Sequence, residues 1–320
     1  MDKTASDSAD TGSSSSGKPR NAELPQPNLS QVVGILEDLY PLQYSESWDA
    51  PGLIVGDLST GINKVIFAVD PTMDVVDEAI RQHANLLITH HPLLFKAVHQ
   101  VSGLGFRGGI VNALIRNHCA LWVGHTNADV AYHGVAQSAA DRFGLLDQHP
   151  LIPADIQQHG HDVGLGRVGR LPKPQTLREF AASIAKVLPK TTSGIQVCGE
   201  LDGLVRRIAV LPGSGDSCFD EVRASDADVY VTSDLRHHPV TDAYQQSRYE
   251  YMLAASGYAA ERGQHDAPYP AFINTPHSAI ERLWLDYAAT DLKDALRRRQ
   301  LHAVETRVST LNTDPWNLRI

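Results

Sequence analysis

Cysteine is scarce in this chain. Three residues in 320, Cys119, Cys198 and Cys218, are odd in number and widely spaced, with no C-x-x-C pair. That argues against a disulfide framework and against a Cys-ligated structural zinc, and three free thiols fit a reducing compartment. Long apolar runs are missing too, so no segment reads as a transmembrane helix. Basic residues are in the minority, with 28 Lys and Arg against 37 Asp and Glu, for a formal charge of -9. General nucleic-acid binding needs clustered cations and is not expected, although a nucleotide as a small substrate is compatible with this charge. No G-x-S-x-G, Walker A or full Rossmann fingerprint occurs. The opening residues include Asp2, Asp7 and Asp10 and lack an apolar core, unlike a signal peptide, so a cytoplasmic protein without membrane contact is expected.

What remains is enough for a substantial core: 42% of the residues are hydrophobic, in a length that suits two domains. Residues 1–27, with Ser13–Ser16 and Pro19, Pro25 and Pro27, are of low complexity and read as a disordered tail. Helical spacing follows over 31–39 and stops at Pro41. Strand and helix patterns then alternate: strand 65–69, helix 73–83, strand 86–90, helix 110–117, strand 121–125. This rhythm predicts a largely parallel sheet covered by helices. Residues 147–161, with Pro150, Pro153 and Gly160, read as a linker. A second series follows, with strands near 163–168, 195–198, 207–211, 229–232 and 271–274 and helices over 177–188 and 277–287. Residues 257–270 are polar and irregular and read as an inserted loop. The fold class is therefore α/β, as two similar lobes with largely parallel sheets, divided into 28–150 and 151–320.

Histidine is over-represented, with fifteen copies. In open α/β sheets, sites form at the carboxyl ends of strands. His90-His91-Pro92 ends the apolar run Leu86–Thr89. Side chains on a strand alternate between faces, so Pro92 must end the strand for both rings to reach one cavity. The pair reads either as surface histidines or as metal ligands. His125 and Asp129 follow the next apolar run. Asp129 alone reads as a helix cap, but beside His125 it is also a carboxylate able to bridge two cations. His277 and Glu281 stand four apart and share a helix face, as a salt-bridge-like pair or as two metal ligands. Thr232–Pro239 repeats a His-His-Pro, with Asp234 placed to cap a turn and one of its two histidines able to support a site or face a substrate. Gly213-Ser214-Gly215-Asp216 reads as a tight turn in preference to an anion cradle.

Together these segments resemble the family of dinuclear-metal proteins named for the yeast NGG-interacting factor three, many bacterial members of which carry the label GTP cyclohydrolase I type 2 homolog. The matching motifs are Ser47–Leu53, Ile88–Pro92, His125–Asp129, Asp228–Asp234 with His238, and His277–Glu281. Ser233 and Pro276 stand where the family usually has Gly, and the large inserted domain of longer members is missing. The resemblance implies that His90, His91, Asp129, His277 and Glu281 ligate two divalent metal ions between the lobes. Mixed imidazole and carboxylate ligands suit Zn, Fe, Mn, Co or Ni. It also implies a ring-shaped homohexamer and makes His125 and His238 near-site groups able to move protons. Five ligands for two ions leave open positions, the mark of a reactive centre. Hydrolysis of a nucleotide-like small molecule is the activity expected, at guanine C8 if the reaction is of cyclohydrolase type. The alternative is a metal-binding, metal-delivery or regulatory protein with the same site.

Overall fold

The computed structural model describes residues 24–257, 265 and 267–320. The expected disordered tail therefore lies mostly outside the described residues, as does most of the 257–270 loop. The first lobe runs α1 (Leu29–Leu39), β1 (Gly52–Val55), β2 (Lys64–Ala68), α2 (Met73–Arg81), β3 (Leu86–Thr89), α3 (Phe106–Arg116), β4 (Ala120–Val123), α4 (Thr126–Val130) and α5 (Val135–Arg142). Next come β5 (Leu146–His149), β6 (Ile152–Gln158), β7 (His161–Leu165), β8 (Arg167–Thr176), α6 (Leu177–Val187), β9 (Gln196–Cys198) and β10 (Leu204–Ser214). The chain closes with α7 (Phe219–Ala224), β11 (Val229–Ser233), α8 (His237–Ala255), β12 (Ala271–Thr275), α9 (His277–Arg298) and β13 (Glu305–Val308). None of these helices is long and apolar enough to cross a membrane.

Two mixed sheets carry the lobes. The first has the order β1-β4-β3-β2-β13 and is parallel except for β1. The second has the order β5-β8-β10-β11-β12-β9, with β10, β11 and β12 parallel and the flanking strands antiparallel. The α/β class with largely parallel sheets is as expected. The chain crosses residue 150 in both directions, however: β5 joins the second sheet and β13 returns to the edge of the first.

Local chemistry explains most boundaries. The Asn28 side chain accepts from Gln31 N, and the Gln31 side chain accepts from Asn28 N, a capping box that starts α1. Thr176 and Glu179 do the same for α6. The segment read as a linker over 147–161 instead completes β5 and forms the β6–β7 hairpin, whose turn has His159 at φ 53 and Gly160 at φ 78. Pro153 is tolerated there because β6 belongs to a two-stranded ribbon with a free edge. Gln158 pins the hairpin, donating to Leu39 O at 2.9 Å and accepting from Tyr132 N at 2.8 Å. His83, His118 and His133 also have positive φ, so part of the histidine excess serves left-handed turn positions.

Helix α9 joins the two lobes. Its first turns place Ala279, Ile280 and Leu283 in the second lobe's core. Trp284, Leu285, Ala288, Leu292 and Leu296 pack into the core of the first, so the helix runs well beyond the expected end at Tyr287.

His265 ties the edge of the second lobe together. Its Nδ1 lies 2.9 Å from Asp228 Oδ1 and its Nε2 lies 3.0 Å from Asp226 Oδ1, so both ring nitrogens donate to carboxylates. The Asp228 hydrogen bond raises its pKa against the opposing effect of burial, and Asp226 adds to the rise. Stability from this clasp is fully present below about pH 6.5 and is lost as pH rises through the raised pKa. His265→Gln should therefore cost about 1 kcal/mol at pH 6 and little at pH 9, read by urea unfolding at the two pH values.

Candidate metal centre

Sheet register builds the centre. Thr89 pairs with Ala68 on one side and with Val123 on the other. Two residues further along, His91 therefore faces Asp70, and one residue further His90 faces Gly124. Strand β3 ends at Thr89, one residue before the predicted end. The His90 and His91 amides both donate to Val69 O as the chain turns. Both rings then share one space, with centroids 5.1 Å apart. In the second lobe Ser233 pairs with Thr275, which brings Asp234 beside Pro276 and His277.

Each imidazole is held through Nδ1. His90 Nδ1 donates to Gly124 O at 2.7 Å, and His91 Nδ1 donates to Asp70 Oδ1 at 2.7 Å. His125 Nδ1 donates to Asp49 Oδ2 at 2.9 Å, and His277 Nδ1 donates to Asp234 Oδ2 at 2.7 Å. An Nδ1–H committed to an acceptor leaves the Nε2 lone pair facing the interior, the arrangement metal-ligating histidines adopt. Three of these Nε2 atoms meet Glu281, which is 2% exposed. Glu281 Oε1 lies 2.9 Å from His277 Nε2 and 3.4 Å from His90 Nε2, and Oε2 lies 3.0 Å from His91 Nε2. Asp129 Oδ1 lies 3.8 Å from His90 Nε2.

The donor set fits a cation. His91 Nε2 and His277 Nε2 are 3.2 Å apart, two lone pairs face to face unless a positive charge sits with them. Glu281 Oε2 is buried with no hydrogen bond, and the His91 Nε2 that lies 3.0 Å away presents a lone pair once Nδ1–H is given to Asp70. Such an orphaned acceptor is costly unless a cation takes it. Ligand atoms of His91, His277 and Glu281 form one group within 4.8 Å, and those of His90, His91 and His125 form another.

Electrostatics point the same way. Burial lowers the His90 and His91 pKa values, but the Glu281 carboxylate more than reverses this for both, helped by Asp129 at His90 and by Asp70 at His91. His277 is likewise pushed up to about 9, against burial, by Glu281. Burial would raise Glu281, yet the imidazoles of His91 and His90 hold it well below the usual carboxylate range. Asp129 is raised, chiefly by burial. The carboxylate set favours positive charge at the imidazoles, whether carried by protons or by metal.

Several sequence expectations change here. Asp129 lies inside α4, whose N-cap is His125, so the cap reading of Asp129 does not hold. His125 comes within ligand distance of His90 and His91. His238 does not join the cluster. His237-His238-Pro239 is the first turn of α8, not the end of a strand, and His238 is exposed there. Pro239 fits because first-turn N–H groups need no helical partner. Asp234 has φ 53 and orients His277 through a side-chain hydrogen bond. Gly213 is more than a turn residue: at φ +85, a Cβ there would come within 3.1 Å of Glu281 Oε1. Asp49 and Asp70 were not singled out as orienting groups, and their position after or opposite a strand end was the available sign. Asp70→Asn should weaken metal binding about 10–100-fold with the circular-dichroism spectrum unchanged, measured against a chromophoric chelator.

The chain has relatives over most of its length. The sequence model of the Duf34/NIF3 (NGG1p interacting factor 3) family matches residues 27–315. A Streptomyces coelicolor protein named GTP cyclohydrolase 1 type 2 homolog is 40% identical over 294 residues, covering 92% of this chain and 95% of the relative. A Mycobacterium tuberculosis protein of the same name is 29% identical, covering 91% and 97%. That alignment runs over 393 positions, longer than this chain, so the mycobacterial protein carries inserted residues that this one lacks. Among solved structures, a Bacillus cereus protein related to NIF3 superposes with a TM-score of 0.77 at 23% identity, covering 92% of this chain and 100% of the other. A Staphylococcus aureus hypothetical protein superposes with a TM-score of 0.75 at 26% identity, covering 92% and 100%. The chain belongs to the Duf34/NIF3 family.

Proposed function

We propose that the chain is a two-metal hydrolase acting on a nucleotide-like small molecule. The observation that carries this reading is the convergence of His90, His91 and His277 Nε2 on a buried Glu281 whose Oε2 has no hydrogen bond. One divalent ion would be held by His91, His277 and Glu281, and the other by His90 and Asp129, with Glu281 the better placed carboxylate to bridge. When bound, the ions would supply Lewis acidity and a water of lowered pKa. The chain's own groups do the rest. His125, half-buried with Nδ1 held by Asp49, keeps Nε2 free to accept and return a proton. Asp70 and Asp234 hold their imidazoles in one tautomer. The choice of a nucleotide draws support from the names of the Streptomyces and Mycobacterium relatives.

A ring-shaped homohexamer belongs to the same proposal. What supports it is an exposed apolar run, with Phe95, Val98, Val101 and Phe106 each 42–58% exposed and Leu104 95% exposed, near the exposed Trp48. Light scattering should then give a particle of six chains.

Elemental analysis should find about two metals per chain, and turnover should appear in a screen of GTP and other nucleotides. Asp129→Asn should abolish turnover with the fold intact, and His125→Ala should keep the metals and lose most turnover. Two readily released metals without turnover on any nucleotide would sink the hydrolase reading in favour of metal delivery.

A further inference from the structure

A cleft of about 620 Å³ opens beside the metal centre, a volume suited to a small organic ligand. Asp70 and Asp234 line it together with His91 and His277, so it meets these imidazoles from the side of their Nδ1 partners. The opposite wall is the C-terminal segment, which Thr313 anchors by donating to Asp70 Oδ2. Trp316 and Arg319 stand on that wall and lie beyond residue 315, where the family match ends. Neither residue belongs to the candidate metal cluster.

The cleft offers free donors and few free acceptors. Asp70 has both oxygens taken, by His91 and Thr313. Asp314 has both taken as well, by Ser193 Oγ at 3.2 Å and Trp316 N at 3.3 Å. Asp234 keeps one oxygen free. Arg319 makes a single long contact, Nη1 to Ser193 O at 3.4 Å, and has no carboxylate partner among the described residues. It is the only Arg or Lys in the lining. The Gln196 carbonyl accepts from Asn274 at 2.9 Å, which leaves the Gln196 amide N–H groups facing the space. Trp316 is 68% exposed, a large aromatic ring held at a concave surface at the cost of its hydration.

We propose that this cleft binds a planar aromatic ring bearing an anionic group, the ring stacked on Trp316 and the anion held by Arg319 with the Gln196 amide. An exposed ring suits stacking without base preference, and a guanidinium free of carboxylates suits a phosphate or carboxylate. The assignment goes beyond the hydrolase reading and does not depend on turnover. Thr313 connects the site to the metal centre, because the segment that binds the ligand also holds the carboxylate that orients His91.

The test uses the metal-loaded full chain with GMP, guanosine and ribose 5-phosphate as probes, followed by calorimetry. Trp316→Ala should weaken GMP and guanosine about tenfold and leave ribose 5-phosphate unchanged, with Trp316→Phe restoring most of the loss. Arg319→Gln should weaken GMP and ribose 5-phosphate about tenfold and leave guanosine unchanged. GMP affinity unmoved by both variants, or no GMP binding by the parent chain at millimolar concentration, overturns the assignment. Unchanged affinity with an altered particle mass in Trp316→Ala overturns it too and places that ring in a subunit interface. If the hydrolase reading alone fails, turnover is missing while these affinity changes remain.

Discussion

If the proposed two-metal hydrolase is right, Glu281→Gln is expected to reduce metal content from about two ions to fewer than one per chain and to lower turnover at least about a thousandfold, equivalent to about 4 kcal/mol of barrier. The size follows from position. Both Glu281 oxygens meet imidazoles, His277 and His90 at Oε1 and His91 at Oε2, drawn from both lobes. An amide in its place offers one neutral acceptor, and its N–H would donate to an imidazole lone pair that a metal needs. Inductively coupled plasma analysis of the purified variant reads the metal loss directly, and near-parental circular dichroism separates it from unfolding.

The metal-free chains add a pH signature with a definite sign. Glu281 has a depressed pKa, so its contribution is present above the ordinary carboxylate range and is lost as pH falls through the folded value. His277 is raised to about 9, so its contribution is complete below about 6.5 and is lost as pH rises through 9. Parent and Glu281→Gln should therefore differ most in apo stability between about pH 5 and 7. The difference should close at both extremes. Equal apo stability at pH 6 would mean that the cluster stores no such coupling.

The candidate ligands were legible in the sequence, whereas the groups that aim them were not. The candidate ligands His90, His91 and His277, and the near-site His125, sit at strand ends or at a helix start, which pattern alone can locate. Asp70 reaches His91 only because β2 and β3 pair with Ala68 beside Thr89, and Asp49 reaches His125 from 76 positions upstream. Strand register decides these contacts, and a single sequence does not state it. His238 shows the converse. Its His-His-Pro resembles the first motif, but Asp234 turns the chain at φ 53 and the motif becomes the start of α8. That helix is hard to read because its apolar stripe is short, Val240, Ala243 and Tyr244 being only partly buried and Ser247 its only fully buried residue. β13 was missed for a related reason: Glu-Thr-Arg-Val is short and half charged, and only its pairing with β2 makes it a strand.

Trp284→Ala should cost about 3–5 kcal/mol of stability, a fall in melting temperature of roughly 5–8 °C. The ring is fully buried and packs edge-on against Tyr40 at 5.2 Å and against His90 at 5.7 Å. It stands one turn after Glu281 on α9, so the same helix presents a ligand from its first turns and fills the first lobe's core with the next. Loss of the ring therefore leaves a cavity beside His90 and Gly124, against which the ring also packs. Metal affinity should fall with stability in the alanine variant and recover in Trp284→Phe, which keeps an edge against both neighbours. Because the folded cluster should bind metal more tightly than scattered histidines of the unfolded chain, added metal should raise the melting temperature of every variant that retains the candidate ligands. The gain should be smaller for Trp284→Ala than for the parent, since its site is held less firmly. A cavity mutant with full metal affinity would show that α9 carries the core and the ligands as separate loads. A matched loss in both would show that packing behind His90 is part of what makes this cluster a metal site.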